Sequence, residues 1–288
     1  MILLENETIK ASFVKKGAEL KSLVHKKIKL EYMWDANPEF WAKTSPILFP
    51  IVGGLKSDTY SYQRKSYTLP RHGFARDMDF DLQQISDTEV LFTLKHNKET
   101  LAVYPFEFNL GIRYQLTGDI LSCSYEVLNP GSRPLLFSIG GHPAFAVPLK
   151  EQEKYNDYYL HFNKDTELQA HKIVENLIDE HTNRIPLPEG KLVLEHVLFY
   201  EDALVFKTIK SDRISILNTK NDHGLHFDFK DFPYFGIWAA KDADFVCLEP
   251  WCGIADAVDH QGDLEKKEGI IHLNPQDLWK RKYEIAVF

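Results

Sequence analysis

Three short stretches of the 288-residue chain set ionisable side chains beside glycine and proline. They are Arg71-His72-Gly73-Phe74-Ala75-Arg76-Asp77, Gly140-Gly141-His142-Pro143-Ala144-Phe145 and Leu248-Glu249-Pro250-Trp251-Cys252-Gly253. Glycine and proline pull the backbone out of regular structure, so the neighbouring side chain can be aimed. Two stretches supply a histidine and the third a glutamate, the groups that general acid–base chemistry near neutral pH uses. They are far apart in the chain, so only a fold that joins distant segments makes them one site.

Pro143 biases His142 towards extended backbone, and Gly140 and Gly141 permit close approach of a ligand or another segment. A lone histidine there would be read as a buried, locally satisfied ring. The density of special residues around it favours an imidazole that gives or takes a proton. His72 is flanked by Arg71 and Arg76, whose positive field lowers its pKa and favours the neutral ring as a donor to a hydroxyl or ring oxygen. Arg76 has two readings: it holds a substrate group, or it pairs with Asp77 or Asp79. Glu249 follows the apolar run Phe245-Val246-Cys247, and partial burial there would raise its pKa and make it a stronger base. Trp251 beside it offers an apolar plate of the kind that sugar C–H faces pack on. No dinucleotide or P-loop glycine fingerprint occurs, and Ser45 and Ser138 lack a nucleophile elbow. A glycosidase would need a second facing carboxylate, which nothing in the sequence singles out.

The elements that must position these groups are strands. Phe108, Leu110, Ile112, Tyr114 and Leu116 alternate with polar residues, as do Leu121, Cys123, Tyr125 and Val127, and Thr117-Gly118-Asp119 between them reads as a hairpin turn. Val90-Phe92-Leu94, Leu225-Phe227-Phe229 and Trp279 to Val287 repeat the pattern. Helical signals are short: Asn37-Pro38-Glu39-Phe40-Trp41 is a single turn capped by Asn37, and Asn97 to Val103 another, stopped by Pro105. The polar stretch Asn163 to Lys191 reads as a surface crossing with one short strand. Strands separated by Gly, Pro and Asn turns, with few short helices, predict an all-β fold, a large antiparallel β-sandwich, with residues 1–288 as a single domain.

Composition narrows the function. A formal net charge of −8 is repelled by nucleic-acid backbones and anionic membranes, and no stretch approaches the ~20 apolar residues of a membrane span. Cys123, Cys247 and Cys252 form an odd set without metal-binding spacing, read as reduced thiols of a cytoplasmic protein with no metal site. The expected partner is a small molecule, with neither nucleic acid nor membrane.

Taken in this order, RHGFARD, GGHPAF, FPYFGIWAA and CLEPWCGIAD resemble the aldose 1-epimerase (galactose mutarotase) family, in particular its LacX-like branch. The likeness runs from Gly17-Ala18-Glu19-Leu20-Lys21-Ser22-Leu23 through Trp34 and Pro46-Ile47-Leu48-Phe49-Pro50 to the final strands. It implies a β-supersandwich, no cofactor, and interconversion of the α and β anomers of a hexose. By motif it implies that Glu249 is the catalytic base, His142 the acid and His72 the second histidine, with Arg76 holding the sugar. Asp202 is placed by the resemblance as the aspartate contacting sugar hydroxyls, while Arg71, Phe145 and Trp251 complete the nominated binding residues. Gly53-Gly54-Leu55 departs from the Gly-Arg common among relatives. Arg71, Arg76 and Lys56 keep a hexose 6-phosphate open as the substrate, and a sugar-binding protein without catalysis is the alternative of a different class.

Overall fold

The alternating segments form strands. In the computed structural model, which describes residues 1–288, Asn109–Thr117 and Ile120–Leu128 pair antiparallel around Gly118, whose φ of 60° the tight turn requires. They belong to a nine-stranded sheet. At its centre Leu278–Val287 lies between Ile120–Leu128 and Leu225–Asp228, joining two sets of strands that do not otherwise touch within that sheet. The inward residues Ile112, Tyr114, Tyr125, Phe227, Tyr283 and Ile285 are all buried.

A second, eight-stranded sheet, likewise built of antiparallel pairs, packs against this one. Its two strands that matter most are Tyr234–Trp238 and Phe245–Cys252, in the register Tyr234 to Trp251, Gly236 to Glu249 and Trp238 to Cys247. Because side chains alternate along a strand, Phe235 and Ile237 enter the core between the sheets, where Phe235 meets Phe227. Tyr234, Gly236, Trp238, Cys247, Glu249 and Trp251 therefore share the opposite face. On that face Leu48, Val52, Ile178, Val205, Trp251, Ile254 and Ala255 form a separate small apolar cluster.

Both short helical signals appear. Lys98–Val103 is a helix capped by Asn97, whose side chain accepts from Thr100 N. At the other, Asn37 Oδ1 accepts from Glu39 N at 3.0 Å, and Trp41 N donates to the Asn37 carbonyl at 2.9 Å.

The expectation for Asn163 to Lys191 needs correction. This stretch holds two long strands, Glu167–Val174 and Leu177–Pro186, which pair as a hairpin at the edge of the eight-stranded sheet. One face of an edge hairpin stays wet, which explains a polar composition that reads as loop. The turn is Glu175-Asn176, with φ of 50° and 66°.

Candidate active site

Backbone hydrogen bonds to neighbouring segments fix each of the three ionisable stretches. The segment around Phe49 organises the first: Phe74 N and Ala75 N both donate to the Phe49 carbonyl at 3.1 Å, and His72 N donates to Gly53 O at 2.9 Å. His72 itself lies in the left-handed region at φ 68°, a conformation that costs a β-carbon-bearing residue of order 1–3 kcal/mol. That turn aims the ring. Gly53 N donates to His72 Nδ1 at 3.1 Å, so Nδ1 acts as acceptor and the proton sits on Nε2.

His142 follows the strand Ile139–Gly141, and its N–H donates to the Pro46 carbonyl at 3.1 Å. Glu249 stands in the middle of Phe245–Cys252. The two side chains converge, with His142 Nε2 3.3 Å from Glu249 Oε2. The rings of His72 and His142 meet edge-on at 5.9 Å. His72, His142 and Glu249 all border one cleft, together with Arg71, Arg76, Asp202 and Trp251. Of the residues nominated from the sequence, Phe145 is elsewhere. Its strand, Ala144–Ala146, turns the ring into the core against Phe227, fully buried. Phe145 is therefore a core residue and not the sugar platform expected from the sequence. Lys56 is also turned away, its Nζ donating to the Val258 carbonyl at 2.8 Å.

Trp251 is held by absent side chains. A β-carbon on Gly140 would come within 2.6 Å of its indole, and one on Gly236 would do the same from the other neighbouring strand. The two glycines let the ring lie across the sheet beside Glu249.

The cleft is low in dielectric, and its titrating groups shift accordingly. Burial pushes Glu249 up to about 8, with Arg71 and the Trp251 N–H opposing the rise and Asp202 adding to it. Burial pushes His142 down to about 3, and Arg71 and Arg76 act in the same direction. His72 is held well below its ordinary value by burial, then by Arg71, His142 and Arg76, consistent with a neutral ring donating through Nε2. At rest the His142–Glu249 pair thus holds one proton on the carboxyl group rather than existing as separated charges.

Several site residues had no signal in the nominated motifs. Trp41 stacks on the His142 ring at a centroid distance of 4.8 Å, and Trp238 meets that ring edge-on at 5.6 Å. Asn176, at the tip of the edge hairpin, accepts a 2.8 Å hydrogen bond from Arg71 Nη1, and Ile173 and Ile178 beside it line the cleft. Arg76 borders the cleft, its Nη2 donates to the Arg71 carbonyl at 2.9 Å, and its Nε lies 3.6 Å from Asp77, so of its two expected uses the pairing with Asp77 has a structural counterpart. Asp202 accepts from Ala203 N at 2.7 Å and keeps a carboxylate oxygen for the cleft.

All three cysteines are buried and unpaired. Cys247 lies close enough to the dyad that donor atoms of His142, Cys247 and Glu249 fall within 4.8 Å of one another. Strand register makes this juxtaposition, which linear cysteine spacing does not show.

Comparison with known proteins agrees with this architecture. The aldose 1-epimerase family matches residues 1–285. The plasmid and chromosomal forms of protein LacX from Lactococcus lactis subsp. lactis are each 34% identical over 296 residues, covering 99% of both chains. A crystal structure of a galactose mutarotase related enzyme from Lactobacillus acidophilus superimposes with a TM-score of 0.94 at 35% identity, covering 100% of this chain and 97% of that one. A galactose mutarotase-like protein from Lactobacillus casei gives 0.92 at 34% identity, with 100% of each chain covered.

Proposed function

The chain belongs to the aldose 1-epimerase family, and from that premise we propose that it interconverts the α and β anomers of a hexose by acid–base ring opening. The observation that carries the reading is the 3.3 Å approach of His142 Nε2 to Glu249 Oε2 at the cleft. Anomerisation removes the proton of the C1 hydroxyl while the ring oxygen gains one. The C1–O5 bond then breaks, the aldehyde turns about C1–C2, and closure runs the same transfers in reverse.

The resting proton on Glu249 passes to His142 across the gap between them. This leaves a carboxylate to take the C1 hydroxyl proton and an imidazolium to protonate the ring oxygen. His72 Nε2–H donates to the ring oxygen or a neighbouring hydroxyl, and Asp202 accepts from hydroxyls. Trp251 offers its face to the sugar. The free volume of about 180 Å³ is below the range typical of drug-sized ligand pockets, in keeping with a single monosaccharide.

Magnetisation-exchange NMR between anomers, run on glucose, galactose and their 6-phosphates, tests this. Acceleration of anomer exchange is expected for the wild type, with a loss of about 10²–10⁴-fold in Glu249→Gln. A wild type that binds sugar yet accelerates none of the four would leave a binding protein rather than an enzyme. The 6-phosphates belong in the set because Arg71 and Arg76 both border the cleft. Acceleration confined to the phosphosugars would assign the arginines to the phosphate.

A further inference from the structure

The capped turn Asn37–Trp41 ends in the indole that covers His142. Its construction is rigid. Asn37 caps it, Trp41 N donates back to the Asn37 carbonyl, and the buried Trp34 indole N–H donates to the Trp41 carbonyl at 2.9 Å. The Trp41 ring is confined as well: it stacks on Phe245 at 5.7 Å and meets Trp238 edge-on at 5.5 Å. Against His142 the planes are 30° apart at 4.8 Å.

We propose that Trp41 is a positioning residue, which fixes the plane of the His142 ring and stabilises its imidazolium form through the indole π face. The inference rests on His142 acting as the acid. A proton placed on that ring meets a demanding environment. Arg71 and Arg76 face it from the loop Arg71–Arg76 and oppose a further positive charge, beside the neutral ring of His72. Glu249 attracts it from strand Phe245–Cys252, Cys247 of the same strand offers a neutral thiol, and Asp202 stands across the cleft. His142 Nδ1 has no hydrogen-bond partner. The negative face of an indole at stacking distance favours a cation over a neutral ring, more so when water is excluded.

The test compares wild type, Trp41→Phe and Trp41→Leu by anomer-exchange kinetics and by 15N NMR of the histidine rings. The NMR series runs from pH 8 down to the lowest pH at which the fold persists. In Trp41→Leu kcat is expected to fall about 2- to 30-fold with KM nearly unchanged, the range that the cation–π interaction spans. Its His142 ring should also require a lower pH to protonate, and Trp41→Phe, with a weaker π face, should lie between. A raised KM with kcat intact would show that Trp41 merely packs the sugar and would overturn the proposal. Identical His142 titrations in all three proteins would overturn it too. If the wild type does not accelerate anomer exchange, the function is wrong, yet the NMR comparison still decides the role of Trp41. Should the leucine variant unfold, the phenylalanine variant carries the comparison alone.

Discussion

At the scale of single residues, the candidate site is a problem of where one proton rests. With His142 pushed down to about 3 and Glu249 up to about 8, the pair holds one proton between those limits, two below and none above. Since the reaction needs one proton shared by an acid and a base, log kcat/KM is expected to be level through neutrality and to fall above about pH 8. A basic limb near pH 5 would refute the assignment. The same shifts act on stability. Glu249 keeps its proton in the fold while the unfolded chain loses it, so its contribution is intact below about 4.5 and is lost as pH rises to about 8. His142 acts oppositely, costing stability as pH falls from about 6.5 to about 3. Glu249→Gln, neutral throughout, should therefore gain in Tm over the wild type between pH 5 and pH 8, as thermal melts would show. His72, His142 and Glu249 were legible because Gly and Pro frame them. Trp41 and Asn176 were not, since an Asn-capped turn and a polar hairpin tip are also what ordinary surfaces look like. Phe145 misled because it adjoins the His142 motif, while strand parity sends its ring into the core.

At the scale of elements, two neighbouring strands set the site by register. Gly236 lies opposite Glu249, and the Trp251 ring occupies the space its side chain would fill. Gly236→Ala is expected to displace that ring and cost about 1–3 kcal/mol, the usual penalty of overpacking. A lower Tm with altered tryptophan emission would bear this out, whereas unchanged values for both would mean the ring is not wedged there. The antiparallel strands were legible from period-two alternation alone. The edge hairpin was not, because Glu167–Val174 and Leu177–Pro186 have one wet face and weak alternation. The signal available was local: Glu175-Asn176 between Ile173-Val174 and Leu177-Ile178, a two-residue turn flanked by β-branched and apolar residues.

At the scale of the whole molecule, the site gathers strands of the eight-stranded sheet and the connections beside it from Trp41 to Ala255. We expect residues 1–288 to unfold as one unit. Trp41, Trp238 and Trp251 border the cleft and Trp34 is bonded to the first of them, so their fluorescence reports the site, and far-UV circular dichroism reports the strands. The two denaturation curves should coincide; separate midpoints would mean that the chain divides into independently stable parts. A last consequence follows from the position of Leu278–Val287 at the centre of the nine-stranded sheet. Synthesis runs from the N-terminus, so every other strand of that sheet leaves the ribosome before its seam does. Until then Ile120–Leu128 and Leu225–Asp228 each present an open edge to the cell, a hazard for pairing with the wrong chain. The nascent protein is therefore most exposed to aggregation just before Leu278–Val287 emerges.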